Sequence, residues 1–164
     1  MATMCAFSSG IIAAELPKSG SIEGRWFSYN MQTIEEMETA DDMKAYVIEA
    51  IGFHAGKFAG DLEDSTTERC LGFGRYSEAT GAVHETGRCT LTDRDGDKFF
   101  IDVVIDLTGP DDKSPSEAKL IGGTGKYKGI QGTIKFTADA PLPAISKSKT
   151  MWTGEYKGEY KIAD

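Results

Sequence analysis

The clearest pattern in the chain lies over residues 99–107, where every odd position (Phe99, Ile101, Val103, Ile105 and Leu107) is apolar and Asp102 and Asp106 lie on the other face. A period of two sends successive side chains to opposite faces of a strand, so one face of this segment meets a core and the other is wetter. Residues 151–162 repeat the pattern, with Trp152, Tyr156, Tyr160 and Ile162 on one face and Glu or Lys on the other. A spacing of four would also suit a helix, but Gly154 and Gly158 would weaken one. Further strands are expected at 21–32, 45–54, 66–76, 82–92, 117–122 and 132–138, which makes eight strands joined by short turns. Residues 33–46 read two ways. A long hairpin is preferred, with the acidic run Glu35, Glu36, Glu38, Asp41 and Asp42 as a solvated loop or tip. The alternative is a helix, started by Thr39 and Asp42 in the manner of a capping box.

Turn lengths set the strand registers. If residues 78–81 form a four-residue loop, directly opposed residues have numbers that sum to 159, and Cys70 and Cys89 then face each other. Opposed Cβ atoms in an antiparallel pair lie within disulfide reach, so these two thiols are expected to be bridged; two buried free thiols are the other reading. Metal binding by the pair, with no histidine nearby, is not expected. In the next turn, Asp93-Arg-Asp-Gly-Asp97 resembles part of a calcium loop but runs straight into Phe99 and Phe100, without the further oxygen ligands such a loop needs. A three-residue loop with Gly96 in the left-handed region explains it better. That register makes opposed numbers sum to 190, which pairs Leu91 with Phe99 and Cys89 with Ile101.

The same arithmetic assembles a polar row on the opposite face, with Arg88 beside Asp102, His84 beside Asp106 and Arg75 beside His84. A histidine held by a carboxylate is a candidate general base, and a neighbouring arginine could stabilise an anion, so His84, Asp106, Arg75 and Arg88 are the candidate catalytic residues. The competing reading, which the apolar odd face favours, is a cross-strand charge ladder on a solvated surface. His54, between Gly52 and Gly56, reads as a strand-end residue rather than a ligand.

Composition narrows the partners. The chain has 164 residues, 19 of them glycine, and a net charge of −8. Abundant glycine favours many short strands and tight turns. The acidic charge repels phosphate backbones and anionic membranes, and the pair Lys147 and Lys149 is too small to offset it, so no nucleic-acid partner is expected. No segment reaches the roughly 18 to 20 apolar residues of a membrane span. Residues 1–14 are uncharged, and small residues precede Glu15. The basic start of a secretory signal is missing, so this stretch is either a signal remnant, which would remove Cys5 and leave an even cysteine count for a periplasmic or secreted protein, or a frayed terminus.

The densest motif is Leu120-Ile-Gly-Gly-Thr-Gly-Lys-Tyr-Lys-Gly-Ile-Gln-Gly132. Its Gly-Thr-Gly-Lys invites a phosphate-loop reading that fails: Tyr127 follows Lys126 where Ser or Thr belongs, and Leu120 stands where the first glycine should. The dinucleotide fingerprint fails too, because Lys128 occupies the place of its third glycine. No cofactor is implied. The run reads as a strand end, a compact turn with a short helical piece near 126–129, and a strand start.

With the strands in place, this motif resembles that of the allene oxide cyclase and dirigent-like barrel superfamily, in which a Gly-Gly-Thr-Gly turn precedes an aromatic residue and another glycine. Gly87-Arg-Cys89, Asp93-x-Asp-Gly-Asp97 and Trp152-Thr-Gly-Glu-Tyr156 are similar to mostly exported bacterial members. The resemblance covers about residues 21–163. It implies an all-β fold, an eight-stranded antiparallel up-and-down barrel of the calycin-like type, and a homo-oligomer, dimer or trimer. Plant relatives cyclise hydrophobic small molecules or guide their coupling, but their catalytic residues match no positions here. A closed eight-stranded sheet is just wide enough to fill itself or to hold one small ligand. The candidate ligand-binding residues are Phe99, Ile101, Val103, Ile105, Phe136, Trp152, Tyr156 and Tyr160, with Ile134 beside them. Non-catalytic binding of a small hydrophobic or aromatic molecule is the leading expectation. A cofactor-free cyclase or isomerase, which needs a titratable group pointing inward, and a filled structural barrel are the alternatives.

Overall fold

The computed structural model describes residues 16–39, 42–58, 62–139, 142–146 and 149–163. The N-terminal stretch 1–14, Cys5, Asp41 and Lys147 lie outside these residues. Among the described residues nine strands run in order: β1 (Ser19–Glu38), β2 (Met43–Phe58), β3 (Leu62–Ser77), β4 (Val83–Thr92), β5 (Lys98–Leu107), β6 (Ser116–Gly123), β7 (Ile130–Phe136), β8 (Leu142–Ser146) and β9 (Lys149–Ile162). One 3-10 turn, Gly125–Tyr127, sits between β6 and β7. Each strand from β1 to β7 pairs antiparallel with the next, β7 pairs with β9, and β9 returns to β1 from Ser19↔Lys161 to Ser28↔Trp152. The sheet is thereby an eight-stranded antiparallel barrel. The additional strand β8 touches β9 through Leu142↔Met151 and Ser146↔Lys149 and stands outside the ring.

The hairpin registers follow the turn arithmetic. β3 and β4 pair with Cys70 opposite Cys89 and Arg75 opposite His84, and β4 and β5 pair with Leu91 opposite Phe99 and His84 opposite Asp106. The Cys70–Cys89 disulfide closes the first pair, with the Cα atoms 4.0 Å apart. Within the stretch 33–46, residues 33–38 belong to β1 and residues 43–46 to β2, which pair antiparallel, rather than to a helix. β1 and β2 run longer than their alternation indicates, because shifts of register between Ser28 and Asn30 and between Thr33 and Glu35 break the period of two in β1. β8 was not expected at all: five residues that include Pro143 carry too little alternation to read as a strand.

One end of the barrel is sealed. Ile22, Leu91, Tyr127 and Ile130 are fully buried there, and Phe58 is a hub with ring centroids 5.8 Å from Phe99, 5.7 Å from Tyr127 and 5.4 Å from Tyr160. Such tilted and edge-on pairs add about 0.5 to 1.5 kcal/mol each to the burial of their rings. The glycine-rich turn delivers Tyr127 into this floor and is latched to the Asp-rich turn. Lys126 Nζ lies 2.7 Å from Asp93 Oδ2, the Lys126 backbone N–H donates to Asp97 Oδ2 at 3.0 Å, and Thr124 and Lys98 exchange hydrogen bonds. Gly125 has φ of +51°, and a Cβ there would fall 1.8 Å from Asp97 Oδ1, so the latch requires glycine. Asp93 Oδ1 also accepts the backbone N–H groups of Asp95 and Asp97, which makes this carboxylate the organiser of its own turn.

Candidate functional site

Above the aromatic floor the barrel encloses a cavity of about 120 Å³. Its wall is built from inward positions of the strands: Phe99, Ile101, Val103 and Ile105 of β5, Ile134 and Phe136 of β7, Tyr156 of β9, Trp26 of β1 and the two disulfide sulfur residues. Trp26, Ile48, Glu85, Ile105 and Phe136 also line a wider mouth of about 820 Å³, which Trp152, Tyr46, Tyr76 and Leu107 complete, so the interior opens at the end opposite the floor. Of the eight expected ligand-contacting residues, six line the cavity and Trp152 lines the mouth. Tyr160 belongs to the buried floor beneath them, packed on Phe58.

The wall carries two polar pairs. His54 Nε2 lies 2.5 Å from Glu68 Oε2, and both side chains are nearly buried, at 13% and 10% exposure. Nearer the mouth, the Tyr46 hydroxyl donates to Glu85 Oε2 at 2.5 Å. Burial holds the Glu85 carboxyl above the usual carboxylate range, a shift that the Tyr46 hydrogen bond only partly opposes. Tyr46 is pushed up as well, first by burial and then by the charge of Glu85.

His54 is therefore not a strand-end residue. β2 continues through it to Phe58, with His54 opposite Trp26 on one side and Thr66 on the other. The flanking glycines admit a neighbour rather than ending the strand: a Cβ on Gly56 would lie 2.0 Å from the Tyr156 hydroxyl, and the Tyr156 ring sits 5.2 Å from the imidazole. Glu68, Glu85 and Tyr46 were not among the candidates, although Glu68 shares the parity of Cys70 and Glu85 that of Cys89. Glu68 and the two sulfurs also lie within 4.8 Å of one another. The sulfurs are bonded to each other, which leaves one carboxylate as the available ligand there.

The candidate catalytic row lies elsewhere. His84 Nδ1 is 2.6 Å from Asp106, and Arg88 grips Asp102 through two nitrogens at 2.7 and 3.1 Å, but Arg75, His84, Arg88 and Asp106 are all exposed on the outer face. None of the four lines the cavity.

No family model and no curated protein matches the chain. Among solved structures it is similar to a pterocarpan synthase dirigent protein, with 11% sequence identity and a TM-score of 0.52 over 90% of this chain and 88% of that one. At that identity the likeness is one of fold: the chain forms a dirigent-like barrel.

Proposed function

We propose that the protein binds a small, largely apolar molecule inside the barrel. The observation that carries this reading is the open volume between the aromatic floor and the mouth, walled by apolar side chains with few polar groups among them. Such a pocket takes up a ligand by removing apolar surface from water, and its few polar groups orient what enters. A volume near 120 Å³ is of the size that accepts about one aromatic ring, and the wider mouth accommodates larger substituents. A filled structural barrel fits this interior poorly. An exported setting belongs to the same reading, because a cystine in the wall persists in oxidising compartments. No helix among the described residues is long and apolar enough to cross a membrane.

The test is saturable binding of a naphthalene-type dye, followed by quenching of Trp26 in a Trp152→Phe background, with native mass spectrometry of protein from its own host to reveal a retained ligand. Val103→Phe, which fills the cavity from β5 and adds no second tryptophan, should abolish binding without unfolding the barrel. Dye binding that is undiminished in that variant would place the ligand outside the interior and end the proposal.

A further inference from the structure

Resting on the binding reading, we infer that the inner wall is also a proton-transfer site: His54, positioned by Glu68, is a general base for a carbon acid held in the cavity. The substrate class is a small apolar molecule with an acidic C–H beside a carbonyl or an aromatic ring, and the reaction is an isomerisation or ring closure that needs no cofactor.

Three observations converge. First, an ionisable pair is placed in a wall that is apolar apart from Ser28 and the Glu85 carboxyl nearer the mouth, where removing a carboxylate and an imidazole from water costs several kcal/mol and an apolar pair would serve packing as well. Second, the geometry sets the tautomer. With Nε2–H donating to the Glu68 carboxylate, the lone pair resides on Nδ1, in a ring that lines the cavity. Third, the groups facing the imidazole from the neighbouring strands suit this role: Glu68 on β3 and the Tyr156 ring on β9, with Trp26 opposite on β1.

In the reaction the substrate C–H bond breaks, its proton goes to Nδ1, and the electron pair enters the conjugated system while the Glu68 carboxylate stabilises the imidazolium. The same proton then returns to another carbon, which regenerates the base with no net oxidation or reduction. Glu85 takes no part at the reacting atoms. Glu68 faces Leu91 across the β3–β4 ladder, and Glu85 lies six residues further along β4, about 20 Å away along the strand. Its carboxyl with Tyr46 instead reads the polar end of a longer ligand at the mouth.

The probe is 5-nitro-1,2-benzisoxazole, a flat aromatic carbon acid: loss of its C3 proton breaks the ring N–O bond, and the electron pair ends on the oxygen of a coloured 2-cyano-4-nitrophenolate. The full chain with its disulfide intact should eliminate the probe faster than free imidazole at equal concentration. His54→Ala should lower the rate about 100-fold, with partial restoration by added imidazole, and His54→Gln, which can still bond Glu68, should be equally slow. Glu68→Gln should lower kcat about 10-fold and leave KM nearly unchanged. If the probe quenches Trp26 but the wild type turns over no faster than His54→Ala, the proton-transfer inference fails and binding stands. If it neither quenches nor reacts, the binding reading fails as well.

Discussion

Reduction of the Cys70–Cys89 disulfide is the perturbation whose size the structure determines most directly. The two residues are 19 apart in sequence, so the cross-link removes from the unfolded chain the freedom of a loop of that length. The loop-entropy relation gives about 11 cal/mol/K, or about 3 kcal/mol at 25 °C. For a chain of 164 residues, unfolding entropy near 2.1 cal/mol/K per residue converts this to a fall in Tm of about 9 °C. Reduction keeps both sulfur atoms in the wall and so isolates the cross-link. A Cys70→Ala/Cys89→Ala variant should lose somewhat more, because Cys89 is buried against Ile101 and Leu91 and the truncation leaves a gap. Guanidinium unfolding followed by tryptophan fluorescence, with and without dithiothreitol, measures the difference, and a non-reducing digest should yield one peptide pair joined at residues 70 and 89. A loss below 1 kcal/mol on reduction would refute the reasoning, since it would mean that the β3–β4 hairpin is already closed in the unfolded chain or that the bridge is not where the register puts it.

Three further outcomes are expected. Burial holds Glu85 above its unfolded carboxyl range, so the stability it contributes is present at low pH and is lost as pH rises from about 4 toward its folded value; Glu85→Gln, which can still accept from Tyr46, should flatten that decline in urea midpoints measured between pH 4.5 and 7.5, and parallel curves would count against the buried pair. Burial opposes the ionisation of Asp93, but Lys126 and two backbone N–H groups outweigh it and hold its carboxyl below the usual range, so Asp93→Asn should cost about 2 to 3 kcal/mol at pH 7 and progressively less below pH 4, as first the unfolded chain and then the folded wild type takes up the proton; thermal melts at both pH values decide it. Arg88→Ala on the exposed row should leave the thermal midpoint essentially unchanged, because water screens its ion pair with Asp102, and should leave benzisoxazole turnover intact, whereas a large loss of turnover would move the chemistry to the outer face.

The barrel was legible because its strands advertise themselves locally. Alternation at 99–107 set the inner face, two turn lengths set the sums 159 and 190, and the disulfide followed from them without reference to any distant part of the chain. The glycine run around Thr124 announced a tight turn, although its partner could not be foreseen. The latch between Lys126 and Asp93 joins segments that are neighbours only once β5 and β6 have paired. Strand lengths were less legible, since the bulges in β1 interrupt the period on which the reading depends.

The apolar wall was legible from the same alternation, but its polar groups escaped for a different reason. Charged residues are assigned to solvent by default, and that default overrode the parity which places Glu68 with Cys70 and Glu85 with Cys89. Each carboxyl is tolerable inside only because a partner reaches it from β2, His54 in one case and Tyr46 in the other. Those partners become visible once β2 is carried through Gly56 to Phe58, because opposed numbers across β2 and β3 then sum to 120 and His54 falls diagonally beside Glu68. Reading Gly56 as a stop hid that relation. In a closed sheet a charged residue of inward parity is therefore the informative one: it must find a partner on a nearby strand, the adjacent one for Glu68 and the next but one, across Gly74 of β3, for Glu85, and the register that supplies the partner also locates the polar part of the wall.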